Sequence, residues 1–234
     1  MPVPAKDWPS NTLLARLSNG SRQQLLRLGR PVDYAPRQTV ISYGNLDRHA
    51  LVLLSGCVKV ILSSSGGYEA LLGIRVGGDL VGEMAALESR PRSASVVTCS
   101  RTRVRLITSN EFTNFLGHYP DAAIAVASII SHRLRWANRR RADFRAYPAP
   151  ARVARLLAEL VMAYGQQAAQ GWELGVALSQ GELASLAGVA LTTLEKTVHS
   201  LSEDGIIERH RGKIYVSDVA KLRQIADLSP DIPY

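Results

Sequence analysis

Between Gly77 and Ala94 the chain reads GGDLVGEMAALESRPRSA, and several side chains in this stretch have chemistry that converges on one kind of ligand. Gly82 lets the backbone approach a bound group with no side chain in the way. Glu83 accepts hydrogen bonds from hydroxyls such as those of a sugar. Met84-Ala85-Ala86-Leu87 can form one helical turn, whose first N–H groups suit an anion. Arg92 offers a planar fork of donors that matches a phosphate bidentately, and Ser93 adds a hydroxyl and a backbone N–H. Together these groups suit a sugar phosphate. A Gly-Glu and an Arg-Ser pair nine positions apart are a weak signal on their own, and a solvated loop arginine at position 92 is the plainer alternative.

A second informative stretch is Ser179 to Leu201, SQGELASLAGVALTTLEKTVHSL. Ser179 followed three residues later by Glu182 forms a capping box at a helix start. Leu183, Ala184, Leu186 and Ala187 form an inward face, Gly188 makes a tight turn, and a second helix begins near Leu191. Leu194, Val198 and Leu201 share one side of that helix, leaving Thr192, Glu195, Lys196 and His199 outside. Two short helices about a glycine, the second with a polar free face, predict a helix-turn-helix. Ile206 to Arg209, a turn at Arg211-Gly212 and Lys213 to Val216 predict a two-stranded wing. On the reading helix Lys196 is placed to read guanine and Thr192 to touch a thymine methyl, while Ser179, Gln180 and Thr193 suit phosphates. An ordinary helical hairpin is the alternative, and the wing argues against it.

The elements around these stretches have two textures. Asn11 to Leu28 predicts two short helices, with Asn11 and Ser21 as N-caps. Short β-branched runs follow at Thr39–Ile41, Ala50–Leu54, Val58–Leu62, Leu71–Val76, Ala94–Thr98 and Arg103–Ile107. Turn residues separate them, among them Gly66-Gly67 and Gly77-Gly78. Strands this short at such spacing predict an antiparallel roll or barrel, interrupted only by the Gly82–Ser93 stretch. A long helix then runs from Tyr119-Pro120-Asp121 to about Phe144. Ala123, Ala127, Ile130, Leu134, Ala137 and Phe144 recur along it at alternating spacings of four and three, broken only by Arg141. A single stripe can pack against its own domain, but a helix of this length with a polar far side predicts a seam for a second copy of the chain. Arg139, Arg140 and Arg141 near its end either contact phosphates or repel one another across that seam. Prolines 148 and 150 stop the helix. Beyond them Val153, Leu156, Leu157 and Leu160 mark an amphipathic helix, followed by a Gly/Gln loop and a short strand near Val176.

With 234 residues and 46% hydrophobic content, the chain is large enough for two domains with their own cores. A formal net charge of +8 points to a polyanionic partner, nucleic acid before membrane. The two cysteines, Cys57 and Cys99, read as buried thiols rather than a disulfide and are too few for an iron–sulfur cluster. The five histidines show no metal-ligand spacing and no partnered nucleophile, so no metal, haem or enzymatic activity is expected. No signal-peptide core and no membrane-length apolar run is present, which predicts a soluble, cytoplasmic protein.

GEMAALESRPRSA between strands resembles the phosphate-binding cassette of cyclic-nucleotide-binding domains. In order, the roll, the long helix and the winged helix-turn-helix resemble the cyclic-AMP receptor protein and FNR family of transcription regulators, over roughly Leu13 to Ala226. The resemblance implies an α+β fold: a cyclic-nucleotide-binding β-roll (double-stranded β-helix) over 11–120, a dimerisation helix and hinge over 121–146, and a winged helix-turn-helix DNA-binding domain over 147–234. It implies that Glu83 holds the ribose 2′-hydroxyl and that Arg92 and Ser93 hold the cyclic phosphate. Gly82 and Met84 would line the backbone side, and Asn138 would face the base. The effector would be cyclic AMP or cyclic GMP; the partners would be double-stranded DNA, a second copy of the chain and RNA polymerase. Two departures stand out. Ala137-Asn138 occupies positions where well-known members carry two polar groups, and Leu191, Thr192 and Lys196 replace the usual Arg-Glu pair and later arginine of the reading helix.

Overall fold

The computed structural model describes residues 8–63, 69–210 and 213–228, so the Gly66-Gly67 and Arg211-Gly212 turns lie outside the described residues. The chain divides into two compact units, 1–136 and 137–234. The division falls inside the long helix, ahead of the prolines at 148 and 150.

The first unit opens with α1 (Leu13–Arg16) and α2 (Asn19–Leu25). Their N-caps are Thr12, one position after the expected Asn11, and Ser18, three before the expected Ser21; the Ser18 hydroxyl accepts from the Ser21 N–H. Strands β1 (Arg30–Tyr34), β2 (Thr39–Ile41), β3 (Ala50–Ser55), β4 (Cys57–Ser63), β5 (Glu69–Val76) and β6 (Leu80–Val81) follow. After them come α3 (Glu83–Glu88), β7 (Ser95–Thr98), β8 (Thr102–Ile107), α4 (Ser109–His118) and α5 (Pro120–Ala146). The strands form two antiparallel four-stranded sheets, in the orders β1-β8-β3-β6 and β2-β7-β4-β5. β3 is apolar from Ala50 to Leu54 because both of its faces are covered. Leu51 and Leu53 meet Ile41, Val58, Val96 and Val104 between the sheets. Ala50 and Val52 face the other way, against leucines of α1 and α2, Phe112 and Phe115 of α4, and Ala122, Ala125, Val126 and Ile129 of α5. Cys57 and Cys99 stand opposite each other where β4 pairs with β7; they are half-buried thiols with Sγ atoms 3.4 Å apart.

The face of α5 that enters this core is therefore the one through Ala122, Val126 and Ile129. The expected seam lies beside it. Ala127 is exposed and Leu134 is 60% exposed, and Ile124, outside the expected set, is 70% exposed, so the apolar surface is left open there. Ile130 differs, because it packs partly against the unit's own core.

The second unit holds the last part of α5, then α6 (Ala149–Tyr164), β9 (Gln166–Ala168), β10 (Gly171–Glu173), α7 (Gln180–Ala187), α8 (Leu191–Glu203), β11 (Ile207–His210), β12 (Lys213–Val216) and α9 (Val219–Ile225). α6 buries Val153, Leu156, Leu157 and Leu160 as its spacing predicts, and also Arg155 and Glu159. Those two charges are paired: Arg140 donates to Glu159 at 2.7 Å and Arg155 to Asp143 at 3.2 Å. Arg140 is thus a buried tie between α5 and α6, which excludes it from phosphate contact or repulsion across a seam. Phe144 also leaves the expected seam, since it packs against the Gly188 turn. The strand expected near Val176 lies earlier, at β10. Gln166–Ala168, read as loop, is a strand because it pairs with β10, which pairs in turn with β12; pairing overrides the weak strand preference of glutamine. The wing hairpin β11-β12 is the other half of this sheet, of order β11-β12-β10-β9. Among the described residues no helix is long and apolar enough to cross a membrane.

Candidate functional site

The cassette is built where β6 ends. Gly82 caps α3 with φ +79°, and a Cβ there would lie within 3.0 Å of Arg92 Nη1, the His49 carbonyl and Ile41 Cδ1. Only glycine suits both the left-handed backbone and that crowding. Arg92 is 3% exposed. Its Nη1 donates to the Gly82 carbonyl at 2.9 Å and its Nη2 to the His49 carbonyl at 2.7 Å. Its own N–H donates to Asn45 and its carbonyl accepts from Gly44, which fixes the 42–45 loop beside it.

Glu83, 6% exposed, begins α3. Its Oε1 accepts from Arg133 Nη1 at 2.7 Å, and Arg133 Nη2 donates to Asp79 Oδ1 at 3.2 Å and to the Leu80 carbonyl at 2.7 Å. One guanidinium from α5 therefore holds two buried carboxylates and a carbonyl of the cassette. Burial pushes the Asp79 carboxyl above the usual range, against the pull of Arg133 and Arg75. Ser93 and Met84 are exposed neighbours, with the Ser93 hydroxyl 3.7 Å from the Met84 sulfur. Gly82, Glu83, Met84, Arg92 and Ser93 are thus brought together. Asn138 is exposed on the part of α5 that belongs to the second unit.

The donor set fits a sugar phosphate. A guanidinium carries five N–H donors, of which the carbonyls occupy two. Arg92 Nε is buried and has no hydrogen-bond partner among the described residues. The Ser93 hydroxyl is open to solvent, and one Glu83 oxygen is not bonded to Arg133.

The residue missing from the sequence reading of this site is Arg133. Its partners lie about fifty positions away, but a signal existed. Ala122, Val126 and Ile129 continue at helical spacing to position 133, and an arginine on a buried stripe requires carboxylates. His49 was also missed, because it contributes a carbonyl oxygen rather than a side chain.

In the second unit, Ser179 caps α7: its hydroxyl accepts from the Glu182 N–H at 3.3 Å, and Glu182 Oε2 accepts from the Ser179 N–H at 2.8 Å. Gly188 closes α7 in the left-handed conformation, where any Cβ would collide with the Phe144 ring. Arg152 Nη2 donates to the Gly188 carbonyl at 2.9 Å, so α6 braces the turn. α8 buries Leu194, Thr197, Val198 and Leu201 and presents Leu191, Thr192, Glu195, Lys196 and His199 to solvent. Thr193 is half-buried, and its carbonyl accepts from the Thr197 hydroxyl. Gln180 is half-buried and tied to its neighbours. Among the described residues no group of three or more His, Cys, Asp or Glu side chains is placed to hold a metal ion.

Comparison with known proteins gives a domain match in each unit. Residues 31–119 match the model of the cyclic nucleotide-binding domain, and residues 151–225 that of the Crp-like helix-turn-helix domain. The chain is 26% identical over 196 residues to the CRP-like cAMP-activated global transcriptional regulator of Mycobacterium tuberculosis, covering 84% of this chain and 88% of that protein. It is 28% identical over 205 residues to the cyclic AMP receptor protein of Thermus thermophilus, covering 88% of each. The structure of the c-di-GMP responsive global regulator CLP of Xanthomonas campestris shares the fold with a TM-score of 0.72 at 22% identity, covering 85% of this chain and 99% of that one. These relatives are regulators rather than enzymes. With a cyclic nucleotide-binding domain followed by a Crp-like helix-turn-helix, the chain belongs to the cyclic-AMP receptor protein and FNR family of transcription regulators.

Proposed function

We propose that the chain is a dimeric transcription regulator whose DNA binding is gated by cyclic AMP held at the Gly82–Ser93 cassette. The observation that carries this reading is the intact, buried pair of Glu83 and Arg92, with an unpartnered Nε on Arg92. Glu83 takes the ribose hydroxyl, Arg92 and Ser93 the cyclic phosphate, Gly82 and Met84 the backbone side, and Asn138 the base. When bound, the nucleotide supplies a negative charge and a hydroxyl donor. The chain's own residues relate these to the long helix, since Glu83 is already bonded to Arg133 of α5. A new partner for Glu83 changes the balance of charge about Arg133, and an element that bonds differently in two states is what a gate requires. The second copy docks on the open α5 stripe of Ile124, Ala127 and Leu134. Thr192 and Lys196 read the major groove, with Ser179, Leu191 and Thr193 beside the backbone. RNA polymerase is a further partner of the assembled dimer on DNA.

A second reading keeps the fold and dispenses with the nucleotide. Ala137, exposed on α5 beside Asn138, offers no polar group to a base and favours it. Calorimetric titration of cyclic AMP and of cyclic GMP into wild type and Arg92→Ala separates the two. Micromolar binding that the substitution removes supports the gated reading. No heat with either nucleotide, together with specific DNA binding by the bare protein, overturns it in favour of the second.

A further inference from the structure

Glu195 lies in the second turn of α8 on the same exposed face as Thr192 and Lys196. Gln180, the first residue of α7, reaches it. With its amide oriented by its neighbours, Gln180 Nε2 donates to Glu195 Oε1 at 3.3 Å, and Gln180 Oε1 accepts from Arg209 Nη2 at 2.8 Å. The start of α7, the reading helix and wing strand β11 are joined at this one amide, which holds the Glu195 carboxylate on one side and the Arg209 guanidinium on the other. A solvated acid on a surface that meets DNA would be repelled by phosphates at every sequence. An acid oriented on the groove-facing side is compensated where a base edge offers it a donor. An ionised carboxylate only accepts hydrogen bonds. The major groove has two amino donors, adenine N6 and cytosine N4; adenine sets the acceptor N7 beside its amino group, which disfavours a carboxylate, whereas cytosine N4 matches it.

We infer that Glu195 is a specificity-determining residue that accepts from the N4 amino group of a cytosine in the operator, with Gln180 and Arg209 as positioning residues. This rests on the reading of α8 as the groove-facing helix. Next to Lys196, a donor suited to guanine, the pair presents an acceptor and a donor to neighbouring base pairs. The Gln180 amide orients Glu195 without neutralising it.

The test is selection from a randomised duplex library, with and without cyclic AMP, using full-length wild type, Glu195→Gln, Glu195→Ala and Gln180→Ala. Wild type should enrich one C·G pair per half-site that Glu195→Ala loses, with discrimination at that position falling about tenfold. Glu195→Gln should shift that position toward adenine, which an amide reads through N6 and N7. Gln180→Ala should relax the same position in part and leave the others as they were. If Glu195→Ala keeps the wild-type motif and only tightens binding to all sequences, Glu195 is a repelled surface acid and the inference fails. A wild type that enriches no sequence under either condition would remove the reading role of α8, and that of Glu195 with it.

Discussion

Glu83 and Glu195 are both carboxylates in the first half of a helix, each with a nitrogen donor in reach, yet they sit in opposite regimes. Glu83 is buried against a guanidinium at 2.7 Å that also holds Asp79. Glu195 is exposed against a neutral amide at 3.3 Å. In the low dielectric of the cassette, charge answers charge, and each group's position depends on the others. On the reading helix, water screens the carboxylate and the amide only orients it. The cassette is therefore a network whose parts fail together, and the reading face is a set of side chains that can be exchanged singly.

The widest separation should come from Arg133→Leu set beside Glu195→Ala. Removing Arg133 strands two buried carboxylates, and breaking a buried pair this way costs about 3–5 kcal/mol. Truncating an exposed side chain such as Glu195 should stay within about 0.5 kcal/mol. Urea unfolding followed in each unit would read both values, and comparable losses would mean that the cassette pair is not carrying the load its burial implies. Arg92→Ala comes next. It removes the buried guanidinium that bridges the Gly82 and His49 carbonyls and, on the proposed reading, the contacts to the cyclic phosphate. Cyclic AMP affinity should fall by about a hundredfold or more, at roughly 1.5–3 kcal/mol per charge-assisted hydrogen bond. Calorimetry would show it, and a change under threefold would refute the assigned role.

Much of this contrast was legible in the residues. Gly82, Glu83, Arg92 and Ser93 suited a sugar phosphate by type, with the cassette itself reached through the family resemblance, and the capping box of Ser179 and Glu182 with Gly188 pointed to the helix-turn-helix. Arg133 and Arg140 were harder to recognise as ion-pair partners: Arg140 stands between two other arginines, and the helical spacing that points to Arg133 competes with a second apolar stripe that looks equally regular. Only the choice of which face of α5 enters the core separates a solvated arginine from a buried one, and both faces carry alanines and isoleucines. The partners of Gln180 were not legible for a related reason: nothing near this helix start in the chain shows that the wing brings Arg209 to it.

On the reading face the effects should be smaller and specific. Lys196→Ala should lower discrimination at one guanine by about 1–3 kcal/mol while leaving the fold intact. Anisotropy titrations against single-base variants of the selected site would measure it. Unchanged discrimination would mean that the groove-facing side of α8 has been misplaced by a turn.

The smallest effect expected lies in the cassette and is a pH dependence. Burial holds the His49 imidazole below its ordinary pKa of 6.5, with the charges of Arg92 and Arg30 adding to this and Asp47 opposing it. Its Nε2 is buried with no hydrogen-bond partner among the described residues, which favours the neutral ring. Below the ordinary value the unfolded chain binds a proton that the folded chain refuses, so stability rises with pH across that window. The contribution is whole above the unfolded pKa and is lost as pH falls through the folded one. Because the His49 carbonyl accepts from Arg92, protonation also sets a cation beside the guanidinium of the cassette. Melting temperature should therefore fall as pH drops from about 7.5 to about 5.5, and His49→Gln should flatten that slope. If wild type and variant trace parallel curves, His49 titrates as it would in the unfolded chain, and the cassette network ends at Arg92.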